Sequence, residues 1–129
     1  MISCISKKLF CIRYTKTHEW VKKLANNTAQ VGITYHAREE LGEIVYVDLS
    51  IANIGEEFQQ QSEIASLESV KAAAPVYAPV SMKILQKNEK AMDGLNKDAE
   101  KEGWLYEVEL TNEEEYKELL NEADYKNLL

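Results

Sequence analysis

The sequence predicts a mainly β domain with short helices, the last two of them at the C-terminus. Three observations predict it. Short runs rich in β-branched and aromatic residues alternate with polar positions. Asparagine, glycine and proline punctuate those runs as turn residues do. After Thr111 the apolar spacing lengthens to that of a helix, through Tyr116, Leu119 and Leu120. Several short strands separated by turns suggest a small sandwich or barrel.

Each element follows in order. Residues 20–24 and 29–35 form a hairpin, with Asn26-Asn27 as its turn. Residues 36–41 form one helical turn, with Thr34 as its cap. Gly42 then opens a second strand over 43–49. Residues 62–68 alternate cleanly and predict a third. Residues 76–80 and 82–86 are short extended segments, kept extended by Pro75 and Pro79. Residues 87–101 are charged and irregular and read as loop with one helical turn. Residues 103–110 form the last strand, in which Trp104, Tyr106, Val108 and Leu110 share one face. Residues 111–120 start with cap residues and acids, which complement a helix dipole, and 122–129 form a second short helix. Both read as helices packed on the edge of the β core.

Composition bounds the function. With 129 residues, 45% hydrophobic and 29% charged, the chain is one globular domain and not a disordered one. No apolar run is long enough to span a bilayer as a helix. The net charge is −7. The body beyond Thr17 is strongly acidic, which disfavours nucleic acid and suits basic protein partners. Cys4 and Cys11 are the only cysteines, so neither a disulfide scaffold nor a four-thiolate zinc site is available. His18 and His36 are the only histidines and read as structural; no residue set has metal-ligand spacing.

Residues 1–13 are acid-free, basic and hydroxylated, with scattered apolar positions. They read as an organelle-targeting presequence cut near Arg13, leaving a domain of residues 14–129.

The chemistry concentrates at Leu67-Glu68-Ser69-Val70-Lys71-Ala72-Ala73-Ala74-Pro75. An alternating strand runs into a short link and a second extended segment. Lys71 therefore stands near a hairpin tip, pointing into water, with only small alanines after it. By itself that pattern describes a solubilising lysine as well as a modified one.

Glu68-Ser69-Val70-Lys71-Ala72 resembles the lipoylation motif of the glycine cleavage system H-protein family. The likeness extends through Tyr14, His18-Glu19-Trp20-Val21, the run Val31-Gly32-Ile33-Thr34-Tyr35, and Leu41-Gly42-Glu43-Ile44-Val45-Tyr46-Val47-Asp48-Leu49. Tyr77-Ala78-Pro79, Asn88, Asn96, Gly103-Trp104-Leu105, Leu119-Leu120 and Tyr125 follow in the family's order. The match covers nearly all of the body.

The resemblance implies a barrel-sandwich hybrid lipoyl fold with helical additions. It implies lipoic acid joined as an amide to Lys71, with Glu68, Ser69, Val70 and Ala72 as the flank that a lipoate ligase or lipoyltransferase reads. It implies a non-catalytic carrier. Its arm takes the aminomethyl group of glycine from a pyridoxal-phosphate glycine decarboxylase to a tetrahydrofolate-dependent aminomethyltransferase, and dihydrolipoyl dehydrogenase reoxidises it. A tether makes each transfer a local encounter, and the chemistry is the cofactor's. Glu19 is then a candidate to pair with the aminomethyl ammonium of the loaded arm, against the alternative of a surface acid beside a packed tryptophan. The compartment implied is a mitochondrial matrix or a mitochondrion-related organelle, with a bacterial-type cytoplasm as the alternative.

Other readings stay open. An H-like protein could relay lipoyl groups. A lipoyl domain serving 2-oxo acid dehydrogenases shares the hairpin lysine, though Val70 stands before Lys71 where those domains carry Asp. A biotin carrier would use Lys83, in Ser81-Met82-Lys83-Ile84. An acidic adaptor would leave Lys71 unmodified. The sequence also departs from the family pattern. Met82 replaces a usual glycine and would be strained in a turn needing positive φ. The link after Leu49 is longer than usual and lacks the usual proline, and the stretch from Asn88 to Asn96 is about three residues short.

Overall fold

The computed structural model describes residues 11–129. Its strands are β1 (Cys11–Tyr14), β2 (Glu19–Lys23), β3 (Thr28–Ile33), β4 (Ile44–Asp48), β5 (Glu57–Phe58), β6 (Glu63–Ser69), β7 (Ala73–Tyr77), β8 (Met82–Lys87) and β9 (Tyr106–Leu110). The helices are α1 (Tyr35–Leu41), α2 (Ala91–Lys97), α3 (Glu113–Lys117) and α4 (Glu122–Leu128). The strands make two antiparallel sheets. One runs β1-β2-β3-β9-β8-β5 and the other β4-β6-β7. Val21, Val31 and Val108 of the first meet Ile44, Leu67 and Val76 of the second in one buried core. That is the mainly β sandwich with short helices that the alternation predicts.

The β2–β3 turn sits where the asparagine pair places it. Asn26 and Asn27 have φ of 57° and 64°, and Thr28 N donates to Ala25 O at 3.2 Å. Two successive positive φ values define the hairpin turn that asparagine tolerates best. The Thr34 cap is also in place: its hydroxyl accepts from Ala37 N at 3.2 Å. Gly42, at φ 83°, ends α1 in a conformation that costs a glycine least. At the tail, Asn112 and Asn121 cap α3 and α4, and Tyr116 and Tyr125 bury their rings against the body.

Four features differ from the sequence reading. The third hairpin arm is Ala73–Tyr77 rather than 76–80. Its register is set by the ladder Leu67↔Ala74 and Glu68↔Ala73, and alanines carry no β alternation to reveal it. Residues 91–97 form a two-turn helix where only one turn was expected. Gly94 hides it from propensity, yet a Cβ there would stand 2.0 Å from the carbonyl oxygen of Glu102. The helix is therefore held by close backbone packing that only glycine permits. Met82 shows no strain. It is fully buried at the start of β8, and it is not among the positive-φ residues, which outside glycine are His18, Asn26, Asn27 and Gln61. Finally, β1 begins at Cys11 and pairs Cys11↔Lys23 through Tyr14↔Trp20. The boundary expected after Arg13 thus falls inside a strand. Arg13 itself donates to Leu119 O at 3.2 Å, tying the strand to the tail. The rest of the expected presequence, residues 1–10, lies outside the described residues.

Candidate functional site

The β6–β7 hairpin places Lys71. Strict antiparallel pairing runs to Glu68↔Ala73. Ser69 N then donates to Ala72 O at 2.8 Å, and Ala72 N donates to the Ser69 hydroxyl at 3.2 Å. The serine side chain completes a turn whose two tip residues are Val70 and Lys71. Ser69 is nearly buried, whereas Val70 is 84% exposed. Lys71, Ala72 and Ala73 are exposed as well. Lys71 Cε lies 3.8 Å from where a Cβ on Gly42 would stand, so the lysine stem runs beside the end of α1. Glu68 is exposed on the outer face and is the cross-strand neighbour of Tyr46. Lys71 is thus presented in an exposed turn closed by the hydrogen bonds of Ser69 and Ala72.

Glu19 is not a surface acid. It is 3% exposed. Its carboxylate accepts from the hydroxyls of Thr15 and Thr17, both at 2.6 Å, and from Tyr77 N at 3.2 Å. Burial raises its pKa; the two threonines and the Tyr77 N–H pull it back in part. Glu19 lines a cleft of ≈ 200 Å³ that also takes in His18, Glu40, Leu41, Ala74 and Pro75. Ala74 and Pro75 lie three and four residues along β7 from Lys71, about 10–13 Å at strand rise. An acylated lysine arm of similar length spans that distance. The wall of the cleft thus begins three residues along β7 from Lys71, and neither Lys71 nor Glu68 lines it.

Sequence reading missed the groups that hold this cleft. Thr15 and Thr17 fix the Glu19 carboxylate; their alternate spacing before Glu19 was the available signal. His18 has φ 73°. Its Nδ1 lies 2.7 Å from the Tyr125 hydroxyl, which in turn meets the Thr34 hydroxyl at 2.7 Å. Its ring packs 4.6 Å from that of His36. Burial, then the neighbouring His36, lowers the His18 pKa and favours the neutral ring. His18 thus ties the cleft wall to the tail helix through Tyr125, and His36 packs behind it. Lys83, the biotin alternative, lies within β8, paired with Glu57 and Glu109 on either side. Among the described residues no His/Cys/Asp/Glu group could hold a metal, and no helix is long and apolar enough to cross a membrane.

The burial of Glu19 predicts a pH effect. At low pH the carboxyl is neutral in both folded and unfolded chains. As pH rises through the ordinary glutamate range, about 4.3, the unfolded chain ionises first and stability falls until the folded-state carboxyl ionises too. Glu19→Gln removes that titration. Its unfolding midpoint should gain on the parent's as pH rises from about 4.3, until the folded-state carboxyl has ionised as well. Thermal unfolding across that range checks this; a gap that stays constant or moves the other way contradicts it.

The glycine cleavage H-protein family profile matches residues 12–129. The chain belongs to that family. A glycine cleavage system H protein from Thermotoga maritima is 51% identical over 111 residues, covering 84% of this chain and 87% of that one. The counterpart from Coprothermobacter proteolyticus is 42% identical over 126 residues, covering 88% and 98%. A mitochondrial H protein from Drosophila melanogaster is 42% identical over 84% of this chain and 66% of its own length. The crystal structure of the Mycobacterium marinum glycine cleavage system H protein superposes with a TM-score of 0.77 at 32% identity, covering 92% of this chain and 97% of that one. The β sandwich and its helical additions are thus those of the H-protein family.

Proposed function

We propose that Lys71 is the lipoyl attachment site of this chain, and that the arm it bears carries the aminomethyl group of glycine between decarboxylase and aminomethyltransferase. Membership of the family makes the chain a lipoyl carrier of glycine cleavage. The observation that carries the assignment to Lys71 is its place at the exposed two-residue tip of the β6–β7 hairpin. The lipoyl group, joined through the Lys71 amine, supplies the disulfide and thiol chemistry. The chain supplies presentation at the tip, recognition through Glu68, Ser69, Val70 and Ala72, and shelter in the Glu19 cleft. It performs no catalysis of its own. Dihydrolipoyl dehydrogenase and a lipoate ligase or lipoyltransferase complete the set of partners.

In the cleft, Glu19 would pair with the cationic end of a loaded arm, and Leu41 and Pro75 would limit the access of water to it. A reconstituted mixture of decarboxylase, aminomethyltransferase, glycine and tetrahydrofolate tests the carrier role. Decarboxylation should require the lipoylated chain; equal rates with the unmodified chain would reject it. In the same system Glu19→Gln should shorten the lifetime of the aminomethyl-loaded protein. An unchanged lifetime removes Glu19 from the site.

The Drosophila relative is mitochondrial by name, and residues 1–10 have the composition of an import leader. We place this chain in a mitochondrial matrix or related organelle, with the leader ending before Cys11 so that β1 is kept. Deleting residues 1–10 should then abolish import and leave the unfolding midpoint unchanged. Deleting residues 1–13 should also lower that midpoint, because Arg13 and most of β1 go with it. Unaltered import of the shorter deletion, or equal midpoints for the two, contradicts this.

A further inference from the structure

Strand β4 carries a feature that the carrier role does not use. Ile44 pairs with Ser69 and Tyr46 with Glu68, so Val45 is an extra residue in the ladder. A bulge of this kind re-aims the side chains around it. Ile44 is buried before it and Val47 packs on the core after it. Val45 and Tyr46 both turn to water instead, at 47% and 53% exposure. Regular alternation would have sent only one of them outward. Two adjacent apolar side chains are therefore held out beside the hairpin tip, where Val70 is 84% exposed.

We propose that Val45, Tyr46 and Val70 form the docking surface for the enzyme that acylates Lys71. The proposal rests on Lys71 being the attachment site. Reach selects this partner over the others. An unmodified lysine side chain extends about 6 Å from its backbone. An enzyme that acylates it must bring its own active centre against the residues around the tip. There the Lys71 nitrogen loses a proton and attacks the acyl carbon of an activated lipoate, and the amide bond forms as the bond to the leaving group breaks. The enzymes that act at the far end of a finished arm need not touch the tip, because the arm's length is the greatest distance at which they can stand from Lys71.

Charge completes the description of the partner. Glu43 and Glu68 are exposed on either side of the apolar pair, on a chain of net charge −7. Tyr46 and Glu68 face each other directly across the strands. The matching surface is an apolar hollow that takes the Tyr46 ring, with a basic rim that meets the two carboxylates. Such pairing governs encounter and register, while a buried aromatic anchor supplies most of the affinity.

The test uses the full unlipoylated chain with a lipoate ligase, lipoate and ATP, followed by intact mass. Val45→Thr/Tyr46→Thr keeps β-branched residues in the strand, so circular dichroism and the unfolding midpoint should match the parent. The KM for the chain in acylation should rise about tenfold, with the rate at saturation unchanged. A KM within about twofold of the parent overturns the docking surface. So does an unchanged acylation KM with a raised KM toward the decarboxylase, measured on the lipoylated variant, which would give the surface to that enzyme. Lys71→Arg run alongside should gain no mass. A gain there overturns the Lys71 assignment itself, whatever the double variant does.

Discussion

Lys71→Arg is expected to reduce glycine decarboxylation in the reconstituted system to background while leaving the fold intact. The two halves of that result have separate causes. The guanidinium stays protonated at any pH a protein survives, so it has no free amine pair with which to form an amide. Lys71 also stands exposed at the hairpin tip, and its hydrogen-bonded frame is made by Ser69 and Ala72. An exposed substitution of this kind changes stability by about 0.5 kcal/mol or less. Loss of activity with an unchanged unfolding midpoint is therefore specific to the attachment chemistry. Activity at the parent level would remove Lys71 from the mechanism, and loss accompanied by unfolding would mean that the tip is structural.

Trp20→Ala is expected to cause the largest loss of stability. Trp20 is fully buried, and its Nε1 donates to Ala99 O at 3.1 Å. It pairs across the strands with Gly32, and a Cβ on that glycine would stand 2.9 Å from the indole. The ring thus occupies space that the sequence clears for it, inside the cluster formed with Tyr14 and Tyr125. Truncation leaves a cavity, and substitutions of this size cost about 3–5 kcal/mol. Domains of this size have about 5–15 kcal/mol in all. Because Tyr125 also holds His18 at the cleft, the loss should loosen the Glu19 wall before the chain unfolds. Chemical denaturation measures the effect. A loss below about 1 kcal/mol would show that the cluster is not the joint between sheet and tail.

How much of this was legible in the sequence depends on the kind of signal each element carries. The Asn26-Asn27 turn, the Thr34 cap and strand β6 were readable because backbone geometry there restricts residue type. The β7 boundary was not, since Ala73 and Ala74 pair through their backbone and have no side-chain pattern. Helix α2 was read as a single turn because Gly94 lowers helix propensity, while the reason for that glycine is the Glu102 carbonyl eight residues away. Met82 suggested strain only because the family's usual glycine there pointed to a positive φ; at the head of the strand that the sequence reads from residue 82 it is an ordinary core residue.

The site divides in the same way. The Lys71 tip came from a local pattern together with family likeness. The Glu19 cleft needed the fold, because Thr15 reaches it from the β1–β2 connection while Tyr77 and Ala74 reach it from β7, far along the chain. The exposed Val45 and Tyr46 pair depends on a register shift between β4 and β6. Sequence alternation alone cannot show such a shift.

Every functional step proposed for this chain depends on a lipoyl arm at Lys71. The most direct measurement is the intact mass of the chain purified from its native source, followed by mapping of any modified peptide. A lipoyl adduct is expected on the peptide containing Glu68-Ser69-Val70-Lys71-Ala72. An adduct on Lys83, or an unmodified Lys71 in cells that lipoylate other proteins, would contradict it.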